Sequence, residues 1–264
     1  MSVVLSLVNY KGGVGKTTSA IELAACFHNL GYKVLFVDCE ERCDATKFCG
    51  GDPTLPGLYD VLIGECNIKD AIQTLDEFDL LSSSMALSAA EKTFNKPTDV
   101  LLLYNILSEV RDSYDFIVID THNSRNVLLN MVYVASNYLI ISTLTDQGGV
   151  DMLPYINKDL QEFKEAHWST AEILGVIFSR YSPRANLVQY QLDEIKESLN
   201  EMGIGDSFVM TVRDGIAASE VKSEGGSMQR KKKNSNPAMD YRRIADCVVD
   251  TLKARGELGE VEGE

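Results

Sequence analysis

Residues 11–18 read Lys-Gly-Gly-Val-Gly-Lys-Thr-Thr, and this stretch constrains the chain more than any other. Before it runs Val3-Val4-Leu5-Ser6-Leu7-Val8, mostly apolar with a β-branched bias, which suits a buried parallel strand. After it, Ala20, Leu23, Ala24 and Phe27 recur at helical spacing within Thr17 to Leu30, and Gly31 supplies a left-handed stop. A glycine turn between a strand and a helix aims several backbone N–H groups at one point, and the helix amino end adds partial positive charge. Such a turn binds phosphate. Lys11, Gly12, Gly13, Val14, Gly15, Lys16, Thr17 and Thr18 are therefore candidate phosphate-binding residues. Lys16 would reach the β- and γ-phosphates of ATP as a cation, and the Thr17 hydroxyl would supply one oxygen ligand to magnesium. Tyr10 stands where the pattern G-x-x-x-x-G-K-[ST] has its first glycine, and Lys11 adds a second lysine.

Strand patterns recur at Lys33 to Asp38, Phe116 to Asp120, Tyr138 to Ser142 and Ile173 to Phe178. Helical segments fall between them, near Val100 to Arg111, Val127 to Ala135, Gly149 to Lys164 and Leu187 to Leu199, with a last helix from about Met239 to Ala254. This alternation predicts an α/β protein with the three-layer fold of P-loop NTPases, a mainly parallel sheet flanked by helices. Asp38 and Asp120 end their strands, where active residues gather in open parallel sheets. Asp120 is placed to hold magnesium's water shell opposite Thr17, and Asp38 is a further candidate for the metal.

With 264 residues and no discernible linker, one domain over 1–255 is expected, followed by an acidic, disordered tail over 256–264. No apolar run approaches the roughly 18 residues that span a bilayer, and Val3 to Val8 has no basic segment before it. A cytoplasmic location is expected, so Cys26, Cys39, Cys43, Cys49, Cys66 and Cys247 are read as free thiols. The spacing of Cys39, Cys43 and Cys49 lacks the paired C-x2-C knuckle of a structural zinc site.

The formal net charge of −14 argues by itself against a polyanion partner. Its distribution argues otherwise. Between Arg213 and Arg243 eight basic residues meet four acidic ones, leaving that stretch at +4. Arg213, Lys222, Arg230, Lys231, Lys232 and Lys233 are the natural candidates for contact with a phosphate backbone.

Together these residues resemble the ParA and MinD group of deviant Walker A ATPases, whose mark is the extra lysine found here as Lys11. The resemblance extends over Asn9 to Thr18, Val37-Asp38-Cys39-Glu40, Asp44-Ala45-Thr46 and Gly57 to Leu62, then more loosely over Tyr114 to Thr121, Tyr181 to Arg184 and Val212 to Gly226. It implies an ATPase that uses ATP and Mg2+, forms a nucleotide-dependent homodimer and binds nonspecific DNA. Lys11 would reach across to the partner's nucleotide, and a ParB-like adaptor would stimulate hydrolysis. The cycle would partition or position DNA or another cargo, giving a cytoplasmic, nucleoid-associated protein. Base-contacting positions of the family fall near Arg180 to Pro183 and Thr211 to Val212.

The chain also departs from that group. Glu40 stands where a second aspartate supports the attacking water, so the catalytic set read from the sequence is Lys11, Lys16 and Glu40, with a lengthened carboxylate and slow hydrolysis. Thr121-His122-Asn123-Ser124 replaces a stretch with two prolines, and His122 is read either as a proton carrier or as a hydrogen-bonded loop residue. Three other readings stay open. A weakly hydrolysing ATP-binding regulator fits Glu40. A MinD-like membrane-associated ATPase needs a basic amphipathic carboxyl end, whereas this chain ends Gly256 to Glu264. A metabolic or redox enzyme with a bridging iron–sulfur cluster needs mid-chain cysteines, and none lies between Cys66 and Cys247.

Overall fold

The computed structural model describes residues 2–144, 151–181 and 186–259, with the backbone alone over 186–189. Eight strands form one sheet: β1 (Val3–Val8), β2 (Val34–Cys39), β3 (Ile72–Thr74), β4 (Asp79–Leu81), β5 (Phe116–Thr121), β6 (Tyr138–Leu144), β7 (Glu172–Tyr181) and β8 (Phe208–Arg213). Their spatial order is β3-β4-β2-β5-β1-β6-β7-β8. Neighbours run parallel except β3 with β4. The expected three-layer α/β architecture is therefore what the chain adopts, with one short antiparallel edge pair.

All residues of β1, β2 and β5 are buried, as strands covered on both faces must be. Side chains alternate between the layers. Leu5 and Leu7 join Ala20, Leu23, Ala24 and Phe27 of α1 (Lys16–Asn29), while Val4 packs on the opposite side with Leu128, Met131 and Val132 of α2 (Val127–Ala135). On that second face α3 (Leu153–Glu165) contributes Leu153, Ile156 and Leu160. Three carboxyl-terminal helices cover the first face: α5 (Ile216–Glu224), α6 (Met228–Lys231) and α7 (Asn236–Ala254), with Ile244, Val248 and Leu252 inward. On the second face, α4 (Asn186–Glu201) adds Ile195 and Leu199 beside α3.

Several boundaries differ from expectation. The segment Val100 to Arg111 divides into a 3-10 turn, Pro97–Leu101, and a helix, Leu102–Ser108, because Pro97 starts a tight turn. The helix expected from Gly149 begins at Leu153 where it is described, and residues 145–150 lie outside the described residues. The tail expected to be loose from Gly256 is tied at its start. Glu257 Oε1 accepts a hydrogen bond from the Tyr138 hydroxyl at 2.6 Å, and Leu258 packs on the first core. Residues 260–264 lie outside the described residues.

Candidate nucleotide-binding site

The carboxyl ends of β1, β2 and β5 lie side by side at the centre of the sheet, where the order of strands reverses. From β1 the chain passes through the glycine turn into α1. Gly15 has φ +92°, and a Cβ there would sit 2.7 Å from Ser179 Oγ, so only glycine fits. A Cβ on Gly12 would meet Asn123 Nδ2 at 2.6 Å. The first turn of α1 carries no acidic residue and no side-chain cap, which leaves its amide donors without an intrahelical partner. A cavity of about 170 Å3 opens there, lined by Gly12 through Thr18 with Glu40, Asn123, Arg180 and Lys222. A second hollow of about 400 Å3 shares Gly15, Thr18, Arg180 and Lys222 with it.

The turn is braced by residues to which sequence reasoning gave no role. Asn9 Nδ2 donates to the Ser142 carbonyl at 2.8 Å, and Asn9 Oδ1 accepts the Lys11 N–H at 2.8 Å. Ser142 Oγ donates to the Val14 carbonyl at 3.0 Å. Asn9 and Thr46 both lie in the segments of resemblance, which is the signal that could have singled them out. Lys16 is 7% exposed, and its Nζ donates only a long bond, 3.4 Å, to the Lys11 carbonyl. Burial pushes the Lys16 ammonium down from its ordinary value, and the charges of Asp120 and Glu40 pull it back up.

Asp38 and Asp120 pair directly in the register of β2 with β5. Asp38 Oδ2 accepts from the Thr46 N–H and hydroxyl at 2.8 and 2.7 Å, and Oδ1 from the Glu40 N–H at 3.0 Å. This carboxylate, expected at the metal, is taken up in shaping the loop that carries Glu40. Both oxygens of Asp120 are buried, and among the described residues none donates to them with full hydrogen-bond geometry, the Thr17 hydroxyl included. Burial, then the charge of Asp38, push the Asp120 carboxyl up to about 8, against the pull of the Thr17 hydroxyl and Lys16. A buried carboxylate without partners is costly, and a hydrated divalent cation beside Thr17 is the partner its chemistry suits.

Glu40 is 7% exposed at the rim of the same cavity. Its Oε1 lies 3.4 Å from His122 Nε2 and 3.4 Å from Arg42 Nε, without a formed hydrogen bond. Tyr10, in the first-glycine position, leaves the turn sideways: its hydroxyl meets Tyr133 Oη at 2.7 Å and donates to Asp159 Oδ2 on α3. Arg125 lies 4.8 Å above the Tyr10 ring and pairs with Asp159 at 2.8 Å. Tyr133 continues an aromatic row, 5.9 Å to Phe163 and then 6.4 Å to Trp168.

The basic stretch does not form one open face. Lys222 lines both hollows beside the turn and shares the larger one with Arg213. Arg213 grips Asp240 through Nε at 2.8 Å and Nη2 at 2.7 Å. The run from Arg230 is helical at its start, within the turn Met228–Lys231 that Ser227 caps. Arg230 pairs with Asp76 at 2.7 Å, Lys232 with Glu220 at 2.9 Å, and Lys231 donates to the Glu224 carbonyl at 2.6 Å. Beneath the run, Glu22 of α1 accepts from the Met228 N–H at 2.6 Å and from Gln229 Nε2 at 3.0 Å. Of the expected base-contacting segment Arg180 to Pro183, residues 182 and 183 lie outside the described residues.

Known proteins fit this geometry. The AAA domain family matches over residues 2–173. The chromosome-partitioning ATPase Soj of Treponema pallidum is 29% identical over 253 residues, covering 94% of this chain and 98% of that protein. Among solved structures, the ATP complex of a Cyanothece McdA variant superposes with a TM-score of 0.84 at 21% identity, covering 96% of each chain. Cobyrinic acid a,c-diamide synthase from Mycobacterium smegmatis, with ADP and magnesium bound, gives 0.79 at 22% identity, covering 98% of this chain and 99% of its own. At such identities the two structures speak for the fold alone. No described helix is long and apolar enough to cross a membrane. With its glycine turn, second lysine, strand-end aspartate and match to the Soj proteins, the chain belongs to the AAA domain family and is a P-loop ATPase of the ParA/MinD type.

Proposed function

We propose that the chain is an ATP-driven dimeric switch that binds nonspecific DNA and partitions or positions DNA or another cargo. The observation that carries the nucleotide half of this reading is the buried Asp120 carboxylate at the end of β5, beside an α1 amino end that has no side-chain cap and no acidic residue in its first turn. Gly12 to Thr18 would cradle the phosphates, Lys16 would neutralise them, and Thr17 and Asp120 would hold Mg2+. Magnesium would supply charge neutralisation to the phosphoryl group and leaving group. In hydrolysis a water oxygen bonds to the γ-phosphorus while the bond to the bridging oxygen breaks. ADP keeps the electron pair and Glu40 takes the water proton. Two nucleotide sites facing each other in a dimer need extra cations, which is the role we assign to Lys11.

Residues 1–255 would act as one ATPase unit, and the acidic segment 256–264 would stay outside the chemistry. Soj of Treponema pallidum is a chromosome-partitioning ATPase, and a DNA track with a ParB-like stimulating partner carries that role over to this chain. DNA contact would fall to Arg230 to Lys233 and Arg213, doubled in the dimer, and would make the protein nucleoid-associated. The unformed contacts at Glu40 Oε1 favour slow turnover until a partner tightens the site. The test is a gel shift on random-sequence DNA combined with light scattering. ATP, and not ADP, should produce both a dimer and a shifted band. An ATP-bound monomer, or DNA retention indifferent to nucleotide, would remove the switch from the reading.

A further inference from the structure

We propose that His122 is a positioning residue that draws the Glu40 carboxylate into line for the attacking water. The inference rests on the ATPase reading above and adds to it a residue for which the family pattern has no counterpart.

Glu40 is one methylene longer than an aspartate, and the extra torsion lets its carboxylate wander. A misplacement of about 1 Å can cost on the order of a hundredfold in rate. The backbone of residue 40 cannot supply the correction, because it is already fixed on three sides. Its N–H donates to Asp38 at 3.0 Å, and its carbonyl accepts from Ser83 Oγ at 2.6 Å and from the Cys43 N–H at 3.0 Å. Only the side chain can adjust. Its Oε1 is buried without a hydrogen bond, which is an unfavourable state for a carboxylate oxygen.

Two donors stand 3.4 Å from that oxygen. Arg42 is 68% exposed and shared with Asp44 at 3.4 Å, so its pull is screened and its direction loose. His122 is 22% exposed and held from behind. Ser124 N–H donates to His122 Nδ1 at 3.1 Å, which makes Nδ1 the acceptor and leaves the ring proton of the neutral form on Nε2, the nitrogen that faces Glu40. Just before it, Thr121 Oγ1 donates to the Leu7 carbonyl at 2.6 Å and pins the strand end to β1. The 3.4 Å contact lacks hydrogen-bond geometry, and a turn of the Glu40 carboxylate that aligns it with Nε2–H and shortens the contact by about 0.5 Å gives a hydrogen bond of ordinary length. Donors of this kind are commonly long in the empty enzyme and close when substrate binds. With Oε1 held by Nε2–H, Oε2 remains to accept the water proton as the γ-phosphorus bond to the bridging oxygen breaks. His122 neither gains nor loses a proton in this step.

The test measures ATP turnover and calorimetric ATP affinity on the full chain. His122→Ala should lower kcat about tenfold to a hundredfold and leave KM and Kd for ATP within about twofold. His122→Gln places an amide N–H near the former Nε2 and should restore kcat to within about threefold. In a Glu40→Asp background the shorter carboxylate no longer reaches the ring, so His122→Ala should then cost less than about threefold. In protein labelled with 15N-histidine, the ring signal lost in H122Q should be that of an Nε2–H tautomer. An unchanged kcat in H122A, an equal loss of ATP affinity, an equal loss in the E40D background, or an Nδ1–H tautomer would overturn the proposal. Wild-type protein that binds ATP and turns none over would instead overturn the ATPase reading, and this one with it.

Discussion

Asp38 and Asp120 face each other across the β2–β5 register, yet Asp38 accepts three hydrogen bonds and Asp120 accepts none with full geometry. One strand-end carboxylate is tied into the loop that carries Glu40, and the other is the one proposed above to face a cation. Titration of the site follows from that division.

Burial holds the Asp120 carboxyl at about 8, above its ordinary 3.8, so the empty folded protein keeps a proton there at neutral pH that the unfolded chain has lost. The stability this gives fades as pH rises through about 8. A magnesium ion needs the ionised form, so binding of Mg·ATP at pH 7 should release close to one proton, and affinity should climb until about pH 8. Calorimetry in two buffers of different ionisation enthalpy measures the release. Asp120→Asn should abolish it, and wild-type binding without proton release would contradict the assignment.

Lys16→Ala should abolish detectable ATP binding, because the lysine is nearly buried among the phosphate-loop residues, whereas Arg42, Arg180 and Lys222 line other parts of the same cavity. Calorimetry that finds the affinity unchanged would refute the nucleotide site itself.

Glu22 supplies a second pH effect away from the phosphates. Burial raises its carboxyl to about 7 from 4.5, against hydrogen bonds from Met228 and Gln229 that pull it down. Between those values the folded state binds the extra proton, so stability should rise as pH falls from about 7.5 to 5. Glu22 alone contributes on the order of 3 kcal/mol across that window. Glu22→Gln should reduce the dependence in urea melts of the nucleotide-free protein by that share, leaving the part owed to Asp38 and Asp120. A slope unchanged in the variant would exclude Glu22 as its source.

DNA retention should separate the basic residues into classes. Lys231→Ala with Lys233→Ala should reduce the salt dependence of the ATP-dependent gel shift by about two per protomer in log–log slope. Lys222→Ala should weaken ATP binding more than DNA binding, given its place beside the glycine turn. Arg213→Ala should lower the melting temperature, since it strands the buried Asp240. Equal losses of DNA affinity from all these changes would return them to a single face.

The sheet, the glycine turn and Asp120 were legible because each follows from local pattern: buried parallel strands read as apolar runs, and the turn needs glycines at fixed places. Val127–Ala135 matched its expected limits for the same reason. The edge strands β3 and β4 have three residues each, too few to show a period of two. The carboxyl-terminal strand β8 is half-buried and mixed in composition, and its pattern is correspondingly faint. In the basic stretch, Arg213–Asp240 and Lys232–Glu220 join residues of the same stretch, whereas the Arg230–Asp76 ion pair and the Gln229–Glu22 hydrogen bond reach across much of the chain, and no reading of neighbours in sequence finds those two. His122 was visible as a departure, but its facing of Glu40 arises only when β2 and β5 lie side by side.

Tyr10 gives the chain an optical reporter of its own. The only tryptophan, Trp168, stands at the far end of the row Tyr10, Tyr133, Phe163, and the row begins at the residue next to Lys11. A shift of the Tyr10 hydroxyl would pass through these contacts to the indole, so the intrinsic emission of the unlabelled protein should change on addition of ATP, which stopped-flow fluorescence would time.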